Sequence, residues 1–88
     1  MSYSIRIRRS AARELGHVPR RERERFVEAI DALAEHPFSG NALKGGLRGL
    51  RRIRVGDYRA VYEVQEDALV VLAVRVAHRR DAYRRATR

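Results

Sequence analysis

Apolar and polar positions recur with two different periods along this chain, and each change of period marks a new element. The opening Tyr3-Ser4-Ile5-Arg6-Ile7-Arg8 alternates, which predicts a strand with Tyr3, Ile5 and Ile7 turned inward. Ser10 is placed to cap a short helix from Ala11 to about His17, with Ala11, Ala12 and Leu15 on one side. Pro19 stands where a second helix can begin. From about Arg20 to Glu35 the period is helical, and Phe26, Ile30, Leu33 and Ala34 form a stripe with Val27 beside it. The charges of Arg21-Glu22-Arg23-Glu24-Arg25 alternate in sign, as on a solvated helix face. His36-Pro37 ends this helix, and Asn41 to Gly49 reads as a glycine-rich connection.

Period two then returns. Arg51 to Tyr62 reads as two strands joined by a tight turn at Gly56-Asp57. In the first, Ile53 and Val55 share one face, and Arg52 and Arg54 the other. In the second, Tyr58, Ala60, Tyr62 and Val64 share a face, and Arg59 points oppositely. Leu69 to Ala77 is nearly all apolar, as expected of a strand central in a sheet. Its core face is expected to carry Val70, Leu72, Val74 and Val76, with Arg75, Ala77 and Arg79 opposite. The order β-α-α-β-β-β predicts an α+β fold, a single domain over 1–88. It is a small, twisted, mainly antiparallel sheet with two helices packed on one face. The other face is left to the arginines.

Charge sharpens this picture. The 88 residues hold 20 Lys plus Arg against 11 Asp plus Glu, a net +9, and Lys44 is the only lysine. Such a balance favours a nucleic acid or an acidic protein as partner. Arginine also offers a planar fork for phosphate, although an arginine-biased proteome would explain its preference over lysine equally well. With no cysteine there are no disulfides or thiolate metal sites, in keeping with a cytoplasmic protein. No stretch approaches the ~20 apolar residues of a membrane span, and the first residues lack a secretory apolar core.

No nucleophile triad, nucleotide fingerprint or metal-ligand spacing appears, so neither a metal nor a cofactor is expected. Lys44-Gly45-Gly46 matches no phosphate loop. What remains is Arg52, Arg54, Arg59 and Arg79 near an aromatic, Tyr83, with Arg75 and Lys44 as further RNA-binding cations. Arginines can stabilise the phosphorane formed when a ribose 2′-OH attacks its own phosphodiester. A tyrosine can stack on a base and hold the backbone in line. From the residues alone, an RNA-cleaving site and a non-catalytic RNA-binding face fit equally well.

Two motifs extend the comparison: Arg52-Ile53-Arg54-Val55-Gly56-Asp57-Tyr58-Arg59-Ala60-Val61-Tyr62, and the closing Val76-Ala77-His78-Arg79-Arg80-Asp81-Ala82-Tyr83. With the Tyr3-x-Ile5 start and the helices ending at His36-Pro37, the chain resembles the RelE/ParE superfamily of toxin–antitoxin toxins, more its RelE side. The resemblance implies a ribosome-dependent endoribonuclease that enters the ribosomal A site and cuts mRNA by 2′-OH attack. It also implies a cognate acidic antitoxin that blocks this activity. Residue by residue, it makes Arg59 the phosphate-binding arginine, Arg79 the transition-state arginine and Tyr83 the substrate-orienting aromatic.

Arg52 and Arg54 fall where the best-known type of member has two lysines, one a proposed general base. Arg54 therefore counts with both the catalytic and the RNA-binding residues. Arginine stays protonated, so it cannot readily accept the 2′-OH proton. His78 is the remaining candidate base. Strand alternation puts it with Val74 and Val76, opposite Arg79, which favours a packing role. Two other readings stay open: a ParE-like inhibitor that binds DNA gyrase, and a catalytically weak RNA-binding relative. ParE-like chains generally lack the Arg-plus-Tyr ending.

Overall fold

The computed structural model describes residues 2–45 and 49–78. Five strands and two helices follow in the order β1 (Ser4–Ile7), α1 (Arg9–Gly16), α2 (Arg20–Ala32), β2 (Asn41–Ala42), β3 (Leu50–Val55), β4 (Tyr58–Gln65) and β5 (Val70–His78). The strands form one sheet in the spatial order β1-β5-β4-β3-β2. Only β1 runs parallel to its neighbour; the other pairs are antiparallel. The α+β architecture expected from the sequence is the observed one.

The helical stripe forms the core. Ala11 and Leu15 of α1 and Phe26 and Ile30 of α2 pack with Val55, Ala60 and Val76, with Ile53 and Tyr58 at the margin. Leu33, Tyr62 and Val71 make a second cluster with Tyr3, Ile5 and Val64. Fully burying one such side chain stabilises the fold by about 1.5–3 kcal/mol. Both helices therefore lie on the face that carries Ile53, Val55, Tyr58, Ala60 and Tyr62.

Several boundaries and faces differ from the sequence expectation, each for a local reason. Ser10 lies inside α1; Arg8 takes the N-cap position with no side-chain cap bond. Helix α2 stops at Ala32 rather than Glu35. Its last turn tightens into i→i+3 bonds from Leu33, Ala34 and Glu35, because the residue before Pro37 disfavours the helical region. Ile7 is 40% exposed rather than inward. It ends an edge strand, and α1 packs over β5, leaving the outer strand's end uncovered. The connection after Gly40 is not wholly irregular, since Asn41 and Ala42 pair with Arg52 and Arg51 as β2.

The largest correction concerns β5. Its buried residues are Val70 and Val71, Ala73, then Val76, with Leu72 and Val74 only half-buried, rather than an unbroken Val70-Leu72-Val74-Val76 series. A β-bulge explains the change of phase. Val61 is opposite Arg75 while Tyr62 is opposite Ala73, so β5 carries one extra residue, Val74. An extra residue swaps the two faces of the strand on either side of it.

Candidate nucleic-acid interface

Three of the predicted arginines come together on the open face of the sheet. The hairpin that carries them turns at Gly56, whose φ of 58° is the positive value that a two-residue hairpin needs at its first turn position. Val55 then pairs with Tyr58, and the next pair outward sets Arg54 directly against Arg59. Arg52, one pair further, lies opposite Val61. Cross-strand partners share a face, so all three stand away from α1 and α2. Arg54 is exposed and makes no hydrogen bond or ion pair among the described residues; Arg52 and Arg59 are half-buried.

Arg54 against Arg59 is a costly arrangement for a free sheet. Directly opposed like charges repel, and alternation across a hairpin offers easy alternatives. Two guanidinium forks on one cross-strand pair can instead grip a phosphate from two directions. The same forks can follow negative charge as it grows on phosphate oxygens.

Other predicted residues lie elsewhere. Arg75 stands opposite Val61 in the same row as Arg52, but its guanidinium is ion-paired with Glu14 of α1, both side chains being largely buried. Glu14 also accepts a hydrogen bond from the Val76 N–H at 2.9 Å. Strand β1 accompanies β5 only as far as Ala73, so this carboxylate takes over part of the open edge beyond it. Lys44 is exposed after β2, which runs antiparallel to β3 and so leads away from the Gly56 turn. The structure does not bring Lys44 to the arginine cluster.

His78 is still within β5 and lies opposite Tyr58. Its ring meets the Tyr58 ring edge-on, with centroids 5.6 Å apart at 83°. Together with Glu14, His17 and Val18 they line a cavity of about 190 Å³ on the helix side of the sheet. The imidazole thus lies behind the sheet from Arg54 and Arg59, as its alternation with Val76 suggested. Arg79 and Tyr83 lie outside the described residues.

Sequence reasoning missed three supporting side chains. The Tyr62 hydroxyl, buried, donates to the Pro37 carbonyl at 2.8 Å and accepts from the Gly40 N–H at 3.0 Å. Arg51, on the helix face, donates to the carbonyls of Gly40 at 3.0 Å and Phe38 at 2.9 Å, and its guanidinium packs over the Phe38 ring. These two clamp residues 37–40 against β3 and β4. The third is Asn41, which pairs with Arg52 and so extends the arginine face to the sheet's edge. Arg51 follows the parity of Ile53 and Val55, so its separation from the open-face arginines was visible in the sequence. Asn41 had no such signal without β2.

Comparison with known proteins places this arrangement. The family described as ParE toxin of type II toxin-antitoxin system, parDE, matches residues 5–83. Toxin RelG of Mycobacterium tuberculosis is 36% identical over 87 residues, covering 97% of this chain and all of that protein. Among solved structures, the RelBE2 toxin–antitoxin complex of M. tuberculosis superposes with a TM-score of 0.81 at 30% identity, over 89% of this chain and 92% of the other. The isolated E. coli RelE toxin shares the fold, with a TM-score of 0.78 at 24% identity over 88% and 84%. The chain therefore belongs to the RelE/ParE superfamily of toxins of type II toxin–antitoxin systems.

Proposed function

We propose that this toxin is an mRNA endoribonuclease that acts in the cytoplasm on ribosome-bound message. The observation that carries the reading is the Arg54–Arg59 pair, with Arg52 beside it, on a sheet face that neither helix covers. The relatives bearing RelE-type names add weight on the side of cleavage. In this mechanism the ribose 2′-oxygen attacks the adjacent phosphorus and the 5′-oxygen of the next nucleotide leaves. The products are a 2′,3′-cyclic phosphate and a 5′-OH. Arg59 and Arg54 hold the phosphate and stabilise the charge that builds on its non-bridging oxygens. Arg52 binds the backbone beside them. Arg79 and Tyr83 complete the site as the family resemblance implies, stabilising the transition state and orienting the base. Guanidinium groups rather than a metal carry the charge. Neither Arg54 nor Arg52 takes the 2′-OH proton, so water or a ribosomal group receives it.

A cognate antitoxin is the expected partner, since several similar structures are complexes of a toxin with its antitoxin. The net charge of +9 suits an acidic binding segment.

The test is to induce the toxin without antitoxin and map mRNA 5′ ends, with a gyrase supercoiling assay alongside. New ends within translated frames are expected, lost on Arg59→Ala. Blocked supercoiling with intact mRNA would replace this reading with the gyrase-binding one, which the ParE family match keeps in view.

A further inference from the structure

Beside the arginine cluster the sheet has an unfinished edge. Strand β2 covers β3 only at Arg51 and Arg52. The Arg52 carbonyl faces Gly40 across this edge: a β-carbon built on Gly40 would clash with it. In a strand, residues two apart aim their N–H and C=O the same way, so Arg54 presents its backbone to the same side, beyond the end of β2. A groove of about 390 Å³ lies there. Its walls are the small Ala29 and Ala32 of α2 on one side and Ser39 and Asn41 on the other, and Arg52 and Arg54 form its rim toward the open face.

Three features of this groove point to one kind of occupant. First, Arg54 belongs both to the groove and to the phosphate-gripping pair, so the groove is continuous with the cluster. Second, Arg52 and Arg54 lie two residues apart on one face, about 7 Å along the strand. That is close to the spacing of successive phosphates in an extended nucleic-acid strand. Third, the wall carrying Asn41 is rigid, held by the Tyr62 hydroxyl and the Arg51 guanidinium through four hydrogen bonds to residues 37–40. An exposed amide at the start of this short strand, next to an arginine, has the chemistry to read a base edge, since it offers a donor and an acceptor side by side. Small apolar walls leave room for a flat ring.

We propose that this groove takes the base of the nucleotide next to the phosphate held by Arg54 and Arg59, and that the Asn41 amide hydrogen-bonds that base's edge. Asn41 is then a specificity residue for single-stranded RNA. The proposal rests on the RNA-cleavage reading above and extends it from the phosphate to the base. It accounts for the shortness of β2: a longer strand would fill the groove.

Three measurements test it. The first is independent of cleavage. A short single-stranded RNA carrying 4-thiouridine is photo-crosslinked to the whole toxin, and the crosslinked peptides are identified. Crosslinks at residues 39–41 are expected, and crosslinks confined to other segments overturn the groove. The second compares mRNA cleavage sites for the wild type, Asn41→Ala and Asn41→Ser. The relative use of sites differing at one base beside the cut should change by about fivefold or more. Arg59→Ala should instead lower all sites together. An unchanged site profile overturns the role of Asn41. If the wild type cuts no mRNA, the cleavage reading fails while the crosslink still decides the groove. Protection of residues 39–41 and 52–54 from hydrogen exchange by antitoxin, with none by RNA, would make the groove a peptide site and overturn the proposal.

Discussion

Replacing Arg54 by glutamine should stabilise the unbound toxin, although it removes a residue from the candidate site. Arg54 and Arg59 are direct cross-strand neighbours, and their guanidinium groups project from backbones about 5 Å apart. Charges separated by ~6–7 Å repel by about 0.6–0.7 kcal/mol in water, and by more where the protein lowers the dielectric. Arg54 is exposed, which argues for the lower figure. Glutamine keeps a long polar side chain and deletes the charge, so the expected gain is about 0.5 kcal/mol at low salt. For a domain of this size that raises Tm by about 2–4 °C. Arg54→Lys, which keeps the charge, should show little of the gain. At 1 M salt the Debye length falls to about 3 Å, and the difference between wild type and Arg54→Gln should close. A phosphate-rich polyanion should reverse the ranking by stabilising the wild type more than the variant. Thermal unfolding of the three proteins at two salt concentrations, with and without polyanion, reads all of this. A loss of Tm for Arg54→Gln at low salt, or a gain that persists at 1 M, would refute the claim that the pair repels.

Three further perturbations probe the scaffold behind the site. Gly40→Ala would press a methyl group to 2.5 Å from the Tyr62 hydroxyl and closer still to the Arg52 carbonyl, so a loss of about 3 kcal/mol or more is expected in urea unfolding. Glu14→Ala strips Arg75 of its ion pair and the Val76 N–H of its acceptor, costing about 2 kcal/mol. A double-mutant cycle with Arg75→Ala should show the combined loss falling short of the sum. Leu69 holds a φ of 54° in the β4–β5 turn and is 38% exposed, so Leu69→Asn should gain up to about 1 kcal/mol, seen as a higher urea midpoint.

The hairpin that builds the site was legible because each of its determinants is local. Gly56-Asp57 sets the turn, the turn sets the register, and the register makes alternation along each strand report a face. Ile53, Val55, Ala60 and Tyr62 therefore fell on the core side, and Arg52, Arg54 and Arg59 on the other, with no knowledge of the rest of the chain. The helical stripe of Phe26, Ile30 and Leu33 was legible for the same reason: its period is a property of one segment. Strand β2 was not. Two residues, Asn41 and Ala42, have no period to read, and their pairing depends on a loop pinned by Arg51 and Tyr62 from strands that come later in sequence.

Strand β5 shows the other limit. A run of Val, Leu and Ala is apolar on both faces, so composition cannot tell which phase is inward, and a bulge at Val74 changes nothing in the apparent pattern. Its consequence is chemical all the same. Had the strand kept one phase inward from Val71 and Ala73, Arg75 would share the helix face and Val76 the open one. The extra residue instead returns Val76 to the core and sets Arg75 in the row of Val61 and Arg52. There its charge would add a fourth cation to a face that already opposes Arg54 to Arg59. Glu14 removes that burden by pairing with Arg75 while it also caps the Val76 N–H. One carboxylate thus answers two problems created at the same point of the sheet. It leaves the concentrated positive charge where two strands meet, at the end marked by Gly56.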